Sequence, residues 1–297
     1  SRLITAARNA SIYSYFVVYL KDFSFNLIKK EPQKAKYLLG QGTIRHTEID
    51  TSQYGKNKVY IPAIMLGSSR SLLDKDVSRF FKSLQKMVED AKESIYFKGP
   101  SQKSSLANQA ALRDYYNKAT YRIAFLYILL TGARPTHGIS ILSDYYSGGD
   151  IAFIKDKSRL RQLILCDYLQ QEIKQYLSLQ SVIRTQLSIH TELNELWYTC
   201  SEKNIPKALT SRELRLFMHQ IWPNVVPYQL RHFFSHCANS HMFSNKLFDN
   251  DIDRLMGHEN LGEQVGSDIL SPRRFAVMKD YLNMLPQRIG LEAFIHV

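Results

Sequence analysis

Three short stretches place cationic or hydrogen-bonding side chains where a helix begins or ends. In "LLTGARPTHGISIL" (129–142) an apolar run stops at Gly132 and Arg134 follows two residues later, pinned by Pro135. A guanidinium leaving an apolar helix is costly unless an anion or a carboxylate receives it, and Asp144 is a candidate structural partner. In "PYQLRHFF" (227–234) Arg231 lies in the first turn or so of a helix whose Leu230, Phe233, Phe234 and Cys237 face a core. A helix start already favours anions through its free amides and dipole. In "DRLMGHE" (253–259) Gly257 ends a short amphipathic run and His258 stands at the exit, a place usual for a capping or packing histidine. Taken together, these residue types suit the binding of an oxyanion; taken singly, each has an ordinary structural use.

The elements that must carry them are mainly helical. Leu73, Val77, Phe80, Phe81, Leu84, Met87, Val88 and Ala91 recur at helical spacing within 72–97. A linker is expected at "KGPSQKSSLANQ" (98–109), followed by a long, almost wholly apolar and hence buried helix over 112–135. "DIAFIKDKSRLRQLILCDYL" (150–169) reads as two short strands around a basic turn at Lys155–Arg159. Amphipathic helices follow in "QQEIKQYLSL", "SRELRLFMHQIW", "PYQLRHFFSHCANSHMF" with Pro227 at its first position, "DNDIDRLMGHE", and "SPRRFAVMKDYLNMLPQRIG" with Ser271 as N-cap and a stop near Pro286. The fold class expected is α+β, mainly helical, with one small hairpin. Residues 11–28 are apolar and aromatic, and "KNKVYIPAIML" (56–66) reads as a short extended piece in which Pro62 bars a central strand position.

Bulk properties narrow the partner. The chain has 297 residues, of which 39 are Lys or Arg against 27 Asp or Glu, a formal charge of +12. That balance favours a polyanion, nucleic acid before an anionic membrane surface. Cys166, Cys200 and Cys237 are few, odd in number and far apart, which argues against a disulfide framework and for a reducing compartment. No apolar run approaches the ~20 residues a membrane span needs; 11–28 comes nearest and is broken by Lys21 and Asp22. His232 and His236 share a helix face beside Cys237, with His241 near, but no CxxC or HExxH accompanies them. The glycines form no phosphate loop.

The order of the features is more specific than any one of them. An Arg after a "TGAR" helix stop, a Lys in a β-turn, an Arg-His pair at a helix start and a "G-H" helix stop resemble the catalytic domain of the tyrosine recombinase (phage-type integrase) family over about 107–285. The resemblance implies a recombinase-like catalytic domain over 101–297, preceded by a mostly helical N-terminal region over 1–100 that clamps DNA. It further implies that Arg134 and Arg231 grip the non-bridging oxygens of a DNA phosphate, a task suited to a planar fork of permanent charge. Lys155 or Lys157 matches the hairpin lysine that protonates the leaving oxygen, and His258 matches a late His/Trp that bonds the phosphate. Such proteins use no metal and no nucleotide cofactor. Double-stranded DNA is the partner implied, with other recombinase or transposase subunits beside it, in the cytoplasm of a prokaryotic cell and on its nucleoid. Basic stretches at 29–36, 98–103, 155–161 and 271–274 are expected phosphate contacts.

Two positions depart from the family. Tyr228 stands three residues before Arg231, where His or Lys is usual, and is a poor proton shuttle near neutral pH. Nine residues beyond His258, where the nucleophilic tyrosine is usual, stands Ser267, and the next tyrosine is Tyr281. Three readings stay open. Tyr281 has taken over as nucleophile, although its neighbours Phe275, Met278, Leu282 and Leu285 argue for packing; Ser267, which has no evident base, is the nucleophile; or the fold and groove persist without cleavage. The last leads narrowly. It makes the chain a site-specific DNA-binding protein acting in DNA recombination, integration or mobile-element target selection. An active recombinase working through Tyr281, and a helical protein-interaction scaffold, are the alternatives.

Overall fold

The computed structural model describes residues 72–96, 104–136, 138–156, 159–191, 193–242, 247–257 and 272–292. All belong to one compact unit, Arg70–Val297. Among the described residues there are seven α-helices: α1 Asp74–Tyr96, α2 Ser104–Thr131, α3 Asp167–Gln186, α4 Ser211–Ile221, α5 Tyr228–Met242, α6 Asp249–Met256 and α7 Pro272–Arg288. Two small antiparallel sheets accompany them: β1 Ile151–Asp156 with β2 Arg159–Ile164, and β3 Thr199–Cys200 with β4 Pro206–Lys207. The α+β, mainly helical class is therefore the observed one. The long clamping region expected over 1–100 falls outside the described residues except for Leu72–Tyr96, and α1 in that stretch packs along α2.

The central element is α2. Every residue from Ile123 to Leu130 is buried to 2% exposure or less, which a helix achieves only when it is surrounded on all sides. α1, α3, α5 and α7 supply those neighbours. The helix begins at Ser104, inside the stretch expected to be linker, because nothing in 104–109 forbids helical φ and ψ; only Pro100 and Gly99 before it do. α7 continues two residues past Pro286 and ends at Arg288, with Gly290 at φ 63° beyond it. Proline forfeits one backbone donor and does not end a helix by itself when the last turn is already at hand.

Several polar groups taken into this core are paired. Arg122 of α2 and Glu172 of α3, 3% and 2% exposed, form a two-pronged ion pair with N–O distances of 2.5 and 3.0 Å. Asn117 of α2 both donates to the Cys200 carbonyl (2.9 Å) and accepts from its amide (2.7 Å), closing the edge of β3. The three cysteines are free and buried. No described helix is long and apolar enough to cross a membrane.

The hairpin divides into two faces by strand alternation. Ala152, Ile154, Asp156, Arg161 and Leu163 turn inward, while Phe153, Lys155 and Leu160 are exposed. Ile154 pairs with Arg161 and Asp156 with Arg159, so Asp156 and Arg161 are diagonal neighbours on the inner face. Lys279 of α7 holds the hairpin root and the start of α3 by ion pairs to Asp150 (2.8 Å) and Asp167 (2.9 Å). Arg122→Ala removes the cation from the buried Glu172 carboxylate, so it should lower the unfolding free energy by about 3–5 kcal/mol, whereas the apolar double change Arg122→Met/Glu172→Leu should cost far less. Urea denaturation of the two variants measures both.

Candidate anion site

α2 and α6 end in the same way, and their ends meet. Gly132 (φ 61°) and Gly257 (φ 63°) each take the left-handed conformation that terminates a helix. A helix leaves its last carbonyls without partners. Here two buried arginines supply the donors. Arg231 of α5 donates to the Gly132 carbonyl and, at 2.7 Å, to the Met256 carbonyl. Arg161 of β2 donates to the Thr131 carbonyl at 3.3 Å and to the Leu255 carbonyl. Each guanidinium thus bridges the same two helix ends, one residue apart, and the negative ends of both helix dipoles favour the charge.

Neither glycine tolerates a side chain. A Cβ on Gly132 would lie 2.7 Å from the Phe234 ring, and one on Gly257 would lie 2.5 Å from Cδ of Arg161. The close approach of Phe234 and of Arg161 therefore depends on hydrogen at these positions as much as on the positive φ.

Arg134 joins them from the chain just past α2. It donates to Asp156, whose Oδ2 also lies 3.6 Å from Nη1 of Arg161. Asp144, the partner expected from sequence, instead accepts from Asn194 at 3.3 Å, because the inward register of β1 delivers Asp156 first. Arg134, Arg161, Arg231 and Asp156 are all at most 9% exposed. Three guanidiniums then face one carboxylate. Burial, with the charges of Arg161 and Arg134 adding to it, pushes Arg231 down to about 9. Burial and the charge of Arg134 push Arg161 down to about 10, against the opposing pull of Tyr127 and Asp156. Both remain protonated at neutral pH, so the centre carries surplus positive charge there. Nε of Arg161, Oδ1 of Asp156 and the Tyr127 hydroxyl are enclosed without hydrogen-bond partners, and burial raises the Tyr127 phenol.

The residues singled out in the sequence distribute as follows. Arg134 and Arg231 come together. Tyr228 opens α5 beside them, half-buried, its ring 5.0 Å from that of His232. His232 is pushed below the usual imidazole range by burial and by Arg231. Lys155 is exposed on the outer face of β1. Tyr281 is 4% exposed in the core, its ring edge-on to Phe234 and its hydroxyl 3.4 Å from the Phe234 carbonyl. Burial raises its phenol well above the ordinary range. Lys157, His258 and Ser267 lie outside the described residues, as do the basic stretches 29–36 and 98–103. Of the 271–274 stretch, Arg274 ion-pairs with Asp251 and covers the Phe248 ring at 4.4 Å. Arg161, within the basic stretch 155–161 expected to contact phosphate, is buried; its phase with Leu163 along β2 is the signal of an inward face. No group of three His, Cys, Asp or Glu able to hold a metal occurs among the described residues.

No family model matches the chain, and no curated protein matches it. Among solved structures it is similar to that of the Tn1549 transposon integrase in complex with transposon right end DNA, at 12% identity, over 92% of this chain and 82% of that one, with a TM-score of 0.38.

A centre held together through the Gly257 approach should respond to its loss. Gly257→Ala should displace Arg161, adding the cost of a strained φ to that of two carbonyls left without their donor, about 2–4 kcal/mol in all by denaturant titration. A surplus of buried positive charge should also take up a small oxyanion. Inorganic phosphate at low millimolar concentration and constant ionic strength should raise Tm in the unaltered chain and leave Arg134→Ala unmoved.

Proposed function

We propose that this chain is a site-specific double-stranded DNA-binding protein that takes part in DNA recombination, integration or mobile-element target selection, and that it grips a backbone phosphate without cutting it. The observation that carries the reading is the convergence of Arg134 and Arg231, with Arg161, at the joined ends of α2 and α6. These two arginines are the pair whose order along the chain resembles the tyrosine recombinases. A planar guanidinium matches the oxygens of a phosphodiester two at a time and keeps its charge at physiological pH. The net charge of +12 supplies the long-range attraction such a partner requires. The N-terminal region over 1–100 is proposed as the second half of a clamp around the duplex, and recombinase or transposase subunits as further partners.

Tyr281 supports a role without cleavage. A phenol enclosed in the core with its ionisation suppressed by burial is not available to attack phosphorus. Tyr228, near Arg231, donates a hydrogen bond more readily than it moves a proton. Phosphate recognition therefore outlives the chemistry it would serve in an active enzyme.

Duplex affinity should fall linearly with log salt, with a slope of about −0.9 for each phosphate neutralised. Arg134→Ala should weaken binding by about ten- to a hundredfold, the worth of one charged hydrogen-bond set. A nicked suicide duplex should give no covalent adduct with the unaltered chain. An adduct that disappears in Tyr281→Phe would establish the active recombinase instead, and binding that ignores both salt and Arg134→Ala would establish a protein-binding scaffold.

A further inference from the structure

We infer that Arg161 is a positioning residue, which acts through Asp156 to fix the Arg134 guanidinium in the pose that receives a DNA phosphate; the inference rests on the DNA-binding reading above. Arg134 follows the end of α2 by three residues of non-helical chain, so no helix turn holds its side chain. What holds it is Asp156, on a strand of fixed register. Asp156 is in turn oriented by Arg161, whose Nη1 lies 3.6 Å from the same carboxylate oxygen that Arg134 uses.

Arg161 is committed to acceptors of the protein itself. Its Nη2 is engaged by the Thr131 and Leu255 carbonyls, and its Nε and Nη1 are enclosed and shielded from solvent. The fork is nevertheless rigidly seated, between two helix ends and over a glycine that leaves it room. A carboxylate flanked on one side by such a fork presents a settled acceptor to the Arg134 guanidinium on the other. A lysine would keep the charge but could not reach two carbonyls and a carboxylate in one plane. The order of action is Arg161 to Asp156 to Arg134 to phosphate.

A double-mutant cycle read by duplex affinity and by Tm tests this. Arg161→Gln should weaken duplex binding about tenfold in the unaltered background and less than about twofold in Arg134→Ala, while lowering Tm equally in both. Arg161→Lys, which preserves the charge and serves for the same cycle should the Gln variant not fold, should still weaken binding several-fold with an unchanged salt slope. Equal losses of affinity in both backgrounds would mean that Arg161 acts on DNA directly or by charge alone, and would overturn the inference. So would a Tm loss with no loss of affinity, or an Arg161→Lys variant that binds as the unaltered chain does. Failure of the unaltered chain to bind duplex overturns the functional reading and this inference with it; normal binding with an additive cycle overturns the inference only.

Discussion

The geometry of the centre depends on four carbonyl oxygens, those of Thr131, Gly132, Leu255 and Met256, at the ends of two helices that finish against each other. Burying helix ends this way is unfavourable, since their carbonyls lose water and carry the negative ends of two dipoles that repel. Arg161 and Arg231 resolve that conflict by donating to one carbonyl of each helix, so the repelling ends become joined ends. The arrangement is reciprocal. A guanidinium could not be buried to this depth without acceptors, and four aligned carbonyls are what its planar donors require. The two left-handed glycines make the approach close enough for both.

That mutual satisfaction is incomplete in charge. Carbonyl dipoles accept hydrogen bonds but do not neutralise three cations, and Asp156 removes only one unit of the surplus. The depressed ionisation of Arg161 and Arg231 expresses the remainder, first as burial and then as repulsion within the group. The sign is that of a base made easier to deprotonate by folding: below about 9 the charged pair costs stability, and the cost is relieved as pH climbs through the folded values toward those of the unfolded chain. An oxyanion at the centre would relieve the same strain at neutral pH, so that folding and anion binding would draw on one electrostatic imbalance.

Much of this frame is written locally in the sequence. The buried α2 is legible as a run of apolar residues with no polar face, and its end as Gly132. α6 is legible from its apolar spacing and Gly257. The hairpin is legible from two apolar runs about a basic turn. What sequence could not supply is long-range pairing. Asp144 is close to Arg134 along the chain, and Asp156 is close in space, because β1 folds its inner face back over the end of α2. Arg161 sits in a stretch dense with cations, and only the two-residue phase it shares with Leu163 marks it as inward. Thr199–Cys200 and Pro206–Lys207 are too short for any periodicity to announce a second sheet.

The fate of the phenol follows from the same packing. Tyr281 meets Phe234, and Phe234 is the ring that closes on the hydrogen of Gly132. The residue that would have to move for chemistry is thus packed against the ring that closes on Gly132, two residues before Arg134. Freeing Tyr281 to reach a phosphate would uncover Phe234 and loosen the turn that carries the first arginine. Burial of Tyr281 and the seating of Phe234 on Gly132 belong to one packing arrangement, so neither changes without the other.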